Sequence, residues 1–398
     1  MNNTYCSLAW NHQFIGPGGL CKPCCRFKKE YVLENNDKYD LATSTINEIF
    51  HSEFMNDIRA NMLIDEPIEG CKKCYEEEAA GKNESLRQTH NKIDEITENI
   101  DLRNPKIIFL EFAFSNICNL QCVMCGSYFS TSWIKQDTTG IMDLTIQHHK
   151  KYDLPNLNSI KEVIPDLTFI KFTGGEPLLI SKYYDILIER AKHPNFENCS
   201  LVFCTNLTFF PSDELLDIWS RCKHVVLSAS LDGIENVAEY IRYPTEWEDV
   251  SENIIKYLKL SDIMDIRVGI RPTIMPYNIL SVIEFYEWWE VISSIYYNDD
   301  PDKLWSTLTH VAQPEFLSLQ VLDKPTKEFI ELNLNLQLSR TDSNEVKHHV
   351  EHLIKYMNLE DNSHLLNDFK RYTKVMDKRG LTFKDLEPDL YEMIFGEK

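Results

Sequence analysis

Between residues 105 and 322, short apolar runs alternate with longer segments in which apolar side chains return every three or four positions. The runs at 107–113, 169–173, 201–205, 225–230, 266–275 and 316–321 are rich in Ile, Val, Leu and Phe, and they predict strands. The segments between most of them, such as 182–191 and 251–260, carry apolar stripes at helical spacing and predict crossover helices. Strand and helix in alternation imply a parallel sheet. Six such units fall short of the eight in a closed barrel, so the expected fold is α/β, a partial (β/α)6 TIM-like barrel. In such folds the chemistry collects in loops at the carboxyl ends of the strands.

The pattern changes on either side. Residues 1–104 hold loops around Gly16-Pro17-Gly18-Gly19 and one evident helix. Thr45 and Glu48 form a capping-box pattern there, and Ile46, Ile49, Phe50, Phe54 and Ile58 follow at helical spacing. The charged stretch 76–103 shows no strand pattern and reads as a polar helix or linker. Residues 323–398 read as helical. Val346, Val350, Leu353, Ile354 and Met357 form one stripe; Leu365, Leu366, Phe369, Tyr372, Val375 and Met376 form another, closed by Gly380. The expected organisation is a cysteine-rich N-terminal module (1–104), a barrel core (105–322) and a helical C-terminal extension (323–398).

Charge and cysteine usage narrow the function. The 41 Lys and Arg face 62 Asp and Glu, a net charge of −21, which repels phosphate backbones and anionic membranes. No nucleic-acid or membrane partner is expected. No apolar run reaches the roughly 18 residues that span a bilayer, and the first residues show no basic-then-apolar leader. A cytoplasmic location is the expectation. Twelve cysteines in that compartment are metal ligands or buried thiols rather than disulfides. Nine fall into three groups: Cys6, Cys21, Cys24 and Cys25; Cys71 and Cys74; Cys118, Cys122 and Cys125. Cys199, Cys204 and Cys222 lie in or beside apolar segments and are expected to fill core.

The strongest chemical signal is Cys118-Asn119-Leu120-Gln121-Cys122-Val123-Met124-Cys125, directly after the first strand of the core. Zinc would want a fourth protein ligand, and no His or Cys follows closely. A [4Fe–4S] cluster normally takes four thiolates. Three leave one iron open to a cofactor or substrate.

This C-x3-C-x2-C spacing resembles the signature of the radical S-adenosylmethionine (SAM) superfamily. Gly174-Gly175-Glu176-Pro177, at the end of the second strand, resembles that family's GGEP motif, which contacts the SAM amino group. Thr205-Asn206 on the third strand, and Ser228, Ser230 and Asp232 on the fourth, are similar to segments that line the SAM ribose and carboxylate. Read without the resemblance, the serines and Asp232 fill a barrel interior and Asn206 is a turn residue. Two positions depart from the family pattern: Met124 stands where an aromatic residue is common, and Leu207 where Gly is common.

Cys6, Cys24, Cys71 and Cys74 resemble the ligands of the twitch module, a shortened SPASM domain. The shared features are an early Cys, a glycine (Gly19) ahead of the next Cys, and a C-x2-C pair. Most relatives carry the module after the barrel; here it precedes it. The resemblance implies a second, auxiliary [4Fe–4S] cluster. Cys25 in place of Cys24, Cys21 as a spare or substrate-facing ligand, and a zinc site built from Cys21/Cys24 and Cys71/Cys74 stay open as alternatives.

Together the resemblances imply reductive cleavage of SAM, fed by a donor such as flavodoxin or ferredoxin, to a 5′-deoxyadenosyl radical. That radical would abstract hydrogen from a peptide or protein substrate. Dehydrogenation or rearrangement of a small metabolite is the second reading, and a non-enzymatic zinc-binding interaction protein the third. His148/His149 and His348/His349 lie in polar helical stretches and are expected to be solvated rather than ligands.

Overall fold

The computed structural model describes residues 4–28, 39–79, 85–98, 100–145, 150–154, 157–297 and 305–396. They divide into two compact units. The first is Met1–Ile117 with Lys151–Cys204 and Pro211–Val226; the second is Cys118–Lys150 with Thr205–Phe210 and Leu227–Lys398.

The strands are β1 (His12–Ile15), β2 (Cys21–Lys22), β3 (Phe109–Phe112), β4 (Phe169–Phe172), β5 (Ser200–Thr205), β6 (His224–Ala229), β7 (Ile266–Ile270), β8 (Thr273–Ile274), β9 (Trp305–Ser306) and β10 (Thr309–His310). Eight share one sheet in the order β2-β1-β3-β4-β5-β6-β7-β9, while β8 pairs with β10. In the first unit β1, β3, β4 and β5 run parallel and β2 lies antiparallel on β1. In the second, β7 and β9 are parallel, with Gly269 opposite Trp305. A side chain at Gly269 would stand 2.1 Å from the Trp305 ring, so the glycine fixes that pairing. This mostly parallel sheet with crossover helices is the α/β arrangement of a partial TIM-like barrel.

Three expectations change. The run 316–321 is not a strand but two short 3-10 turns, Glu315–Leu317 and Leu319–Val321. Ser318 caps the second by accepting a bond from the Gln320 N–H, and periodicity alone does not separate a short buried helix from a strand. Its place in the parallel set is taken by β9. The helix after Thr45 has its capping box, with both bonds made, but stops at Phe50. A second helix, Glu53–Leu63, starts from its own cap, Ser52. Finally, the N-terminal module contributes β1, a buried strand carrying two polar residues. The His12 ring bonds to the Pro23 carbonyl (2.8 Å) and the Gln13 amide donates to the Lys22 carbonyl (2.7 Å), which satisfies one polar atom of each, while His12 Nε2 and Gln13 Oε1 have no hydrogen-bond partner among the described residues.

Apolar stacking sets the strand ends in the first unit. Phe112, Phe172 and Phe203, from β3, β4 and β5, stack at 5.6 and 4.9 Å. The helix Ser181–Ala191 lays Tyr183, Ile186 and Leu187 into the core. The Tyr183 hydroxyl donates to the carbonyls of Phe112 (3.2 Å) and Thr173 (2.7 Å), which locks the carboxyl ends of β3 and β4 together. Each such aromatic or aliphatic burial contributes about 1.5–3 kcal/mol. In the second unit, the helix Asn344–Met357 buries Val346, Val350, Leu353 and Met357, and Leu366–Met376 buries Phe369, Tyr372, Val375 and Met376. These belong to the stripes the sequence marks, of which Ile354, Leu365 and Leu366 are only partly buried. Gly380, at φ 128°, ends the following turn. Among the described residues no helix is long and apolar enough to cross a membrane.

Candidate cluster and cofactor sites

Cys118, Cys122 and Cys125 lie on an irregular loop of the second unit. An irregular segment has no ladder to satisfy its backbone, so each buried polar group needs another partner. The chain supplies them from far away. The N–H groups of Gln121 and Val123 donate to the carbonyls of Tyr243 (2.6 Å) and Ile241 (2.8 Å). The Cys122 carbonyl accepts from the Trp133 indole (3.0 Å), the Val123 carbonyl from the Tyr372 hydroxyl (2.7 Å), and the Gln121 carbonyl from Arg379 (2.8 Å). The Cys118 carbonyl accepts from Ser132 Oγ (2.8 Å). The Cys125 thiol donates to Cys122 and holds that sulfur below the usual thiol range, with the Arg242 guanidinium acting in the same direction against burial. Arg242, Tyr372 and Arg379 carried no signal in the sequence, being 120, 249 and 258 positions from their partners on the loop.

Gly174 and Gly175, in the first unit, have φ of 73° and 52°, in the left-handed region that only glycine enters without strain. Packing demands glycine as well. A Cβ would sit 2.9 Å from Ala113 Cα at Gly174 and 2.2 Å from the Ile117 oxygen at Gly175. The Glu176 N–H donates to that same oxygen (2.7 Å), and Glu176 itself is buried, capping the next turn through Leu178 N–H (3.2 Å). The motif is therefore pressed against the peptide that precedes Cys118 in the chain.

At the end of β5, Thr205 is fully buried and its hydroxyl accepts from the Leu207 N–H (3.1 Å). Leu207 stands at φ 61°, which accounts for glycine being usual at that position. Full burial of its side chain and a bond from Asn253 to its carbonyl (2.9 Å) offset the strain. The Asn206 amide donates to Asn119 Oδ1 (3.0 Å) and reaches Cys118 Sγ at 4.0 Å, so it braces the cysteine loop. Ser228 has a buried hydroxyl with no hydrogen-bond partner among the described residues, the kind of orphan a ligand would satisfy. The Ser230 N–H donates to the Thr205 carbonyl (2.8 Å). Asp232, expected beside SAM, accepts at Oδ1 from Thr273 N–H (2.7 Å), while Oδ2 forms an ion pair with Arg242 Nε at 2.8 Å but, like the Ser228 hydroxyl, has no hydrogen-bond partner among the described residues.

Cys6, Cys24, Cys71 and Cys74 line one small cavity of the first unit, together with Arg26, Lys73 and Arg87. Burial pushes the thiols of Cys6 and Cys71 up to about 12 and raises that of Cys24, so binding there must displace protons. Arg26 and Arg87 are paired with Glu77 and Glu78, and Arg87 still acts against burial in lowering the Cys6 thiol. Cys21 is absent from this lining; its fully buried thiol donates to the Gly19 carbonyl (3.6 Å). Cys25 faces another way, toward Glu111 and Lys171, an ion pair 2.8 Å apart across β3 and β4. Among the described residues no three Cys, His, Asp or Glu side chains close on the position of a single ion. His148 and His149 lie outside the described residues. His348 is exposed as expected; His349 instead packs at 5.0 Å from the Tyr286 ring and 3.5 Å from Glu345.

Residues 112–288 match the model of the radical SAM superfamily, and residues 6–75 match that of SPASM, an iron–sulfur cluster-binding domain. No curated protein matches the chain. Similar solved structures include histidine-tagged anSMEcpe with bound AdoMet, at 15% identity and TM-score 0.39 over 57% of each chain. Native anSMEcpe with bound AdoMet and Kp18Cys peptide is 16% identical, with TM-score 0.37, over 57% of this chain and 59% of that one. The chain thus covers less than two thirds of the length of these structures.

Proposed function

From the premise that this chain is a radical SAM iron–sulfur enzyme with an N-terminal SPASM domain, working with a [4Fe–4S] cluster, SAM and auxiliary iron–sulfur, we propose that it modifies a peptide or protein by radical oxidation. Cys118, Cys122 and Cys125 hold the cluster that binds SAM; Cys6, Cys24, Cys71 and Cys74 hold the auxiliary one. The domains follow as 1–104 for the auxiliary module, 105–322 for the core and 323–398 for the helical extension. A cluster held by Cys118, Cys122 and Cys125 would, when bound, supply the electron for reductive cleavage of SAM and so the radical chemistry that removes hydrogen from a substrate carbon.

The chain's own residues do the positioning. Gly174 and Gly175 bring backbone close enough for Glu176 and its neighbours to meet the SAM amino group, with Pro177 fixing the turn that follows. Thr205, Asn206, Ser228 and Ser230 face the ribose and carboxylate, the orphan Ser228 hydroxyl being the best placed to donate. Asp232, one oxygen on Thr273 N–H and the other paired with Arg242, stands behind this set. The observation that carries the oxidative reading is the four-cysteine cavity, since a second cluster held there would supply an electron acceptor for an oxidation. The twitch and SPASM resemblance, whose members often act on peptides, favours a peptide substrate. A flavodoxin or ferredoxin would serve as donor.

The test is anaerobic purification, iron and sulfide analysis, and SAM cleavage with dithionite. A deuterium-labelled cell extract, split by ultrafiltration, then serves as substrate, and deuterium is sought in the 5′-deoxyadenosine. Label from the retained peptide and protein fraction supports the proposal; label from the small-molecule filtrate alone overturns it. Zinc in place of iron, with no 5′-deoxyadenosine, overturns the enzymatic reading itself.

A further inference from the structure

The second unit buries an ion pair that the mechanism above leaves without a task. Asp232 has no exposed side-chain surface and Arg242 has 11%, with Arg242 Nε 2.8 Å from Asp232 Oδ2. Asp232 cannot swing away: its other oxygen accepts from Thr273 N–H (2.7 Å) and its carbonyl from the Asn278 amide (2.7 Å). Arg242 is fixed just as firmly by its own backbone. The residues on either side of it, Ile241 and Tyr243, accept the N–H groups of Val123 and Gln121, the residues on either side of Cys122. Two short backbone bonds therefore set Arg242 directly across from Cys122, and its Nη1 donates to Cys122 Sγ at 3.8 Å. A buried ion pair gains little for stability on its own, because desolvation roughly cancels the attraction. The contact to sulfur is what the arrangement secures.

We propose that Arg242, held by Asp232, sets the reduction potential of the cluster that Cys122 ligates. This rests on the assignment of Cys122 as a ligand made above. Reduction adds one electron, and thus one negative charge, to the cluster. A fixed cation donating a hydrogen bond to a ligand sulfur stabilises that state, and the fixed anion behind it tempers the effect. Arg242 is a positioning and tuning residue, not a catalytic one. The other cation near Cys122, Arg379, spends one N–H on the Gln121 carbonyl and is stacked at 5.0 and 5.2 Å on Trp133 and Tyr243.

The experiment is a potentiometric titration of the full chain without SAM, followed by electron paramagnetic resonance. The relevant cluster is identified afterwards by the change in its signal when SAM is added. Arg242→Gln should lower the equilibrium constant for reduction about tenfold, a shift of about 59 mV to more negative potential for one electron. Arg242→Lys, which keeps the charge, should shift less. Asp232→Asn should move the potential the opposite way. A cluster present in Arg242→Gln at the wild-type potential overturns the proposal, as does Asp232→Asn shifting in the same direction as Arg242→Gln. If both variants merely lose iron while the remaining cluster titrates normally, the pair is structural and the proposal falls. A wild-type chain with no SAM-responsive cluster refutes the ligand assignment instead.

Discussion

Replacing Gly175 with alanine adds one methyl group at the tightest contact described for the GGEP motif. The new carbon would stand 2.2 Å from the Ile117 oxygen, where ordinary contacts begin at 3.4 Å, so the backbone must yield by more than an ångström. Holding alanine at φ 52° costs about 1 kcal/mol, and forcing the overlap about 1–3 kcal/mol more. Part of this is relieved by stretching the Glu176 N–H bond to Ile117, now 2.7 Å, which moves Glu176 away from its place. Displacement on that scale reduces a positioned reaction by about 10²-fold. The assay is the rate of 5′-deoxyadenosine formation with dithionite, read alongside SAM affinity and iron content. Iron should stay near wild type while cleavage falls by about two orders of magnitude. Gly126→Ala, whose added carbon meets nothing within 4 Å, controls for adding a methyl group near the cluster cysteines. Wild-type cleavage and SAM affinity in Gly175→Ala would refute the argument that this contact shapes the SAM site.

Replacing Cys71 and Cys74 together by Ala should lower bound iron and end substrate turnover while leaving SAM cleavage largely in place; equal loss of cleavage in a folded protein would contradict the division between the two cysteine sets. Tyr372→Phe strands the Val123 carbonyl and should destabilise the fold by about 1–2 kcal/mol in chemical denaturation, with iron lost more readily to a chelator. Burial, then Glu284 and Asp389, raise the Glu387 carboxyl to about 7. The folded chain therefore binds this proton more tightly than the unfolded chain, so the residue weakens the fold above pH 7 and the penalty fades as pH falls toward the ordinary glutamate value of 4.5. Glu387→Gln should stabilise on the order of 1 kcal/mol at pH 8, allowing for solvent screening, and have no effect near pH 4. An unchanged pH profile of unfolding would count against it.

Much of this was legible in the chain because it depends on local chemistry. The core strands β3 to β7 follow apolar runs, most of the C-terminal stripe residues are buried, and the Thr45 cap forms as written. Gly174 and Gly175 announce a tight approach, though not that Ile117 is what they approach. What was hidden depends on distant partners. β1 carries His12 and Gln13, which look unfit for a buried strand until Pro23 and Lys22 turn back to accept their bonds. The 316–321 run met every requirement of a strand except a neighbour to pair with. Asp232 has the residue type and position of a ligand, and only the fold adds that Arg242 stands 2.8 Å from one of its oxygens.

The grip of Tyr372 and Arg379 on the cysteine loop also bears on how the protein is made. These side chains are synthesised 249 and 258 residues after the carbonyls they bind. On the ribosome the loop's backbone therefore stays unclasped at these two carbonyls until Tyr372 and then Arg379 have emerged. The shape of the turn that carries Cys122 is thus set late, by side chains made long after it, and not by the turn's own residues.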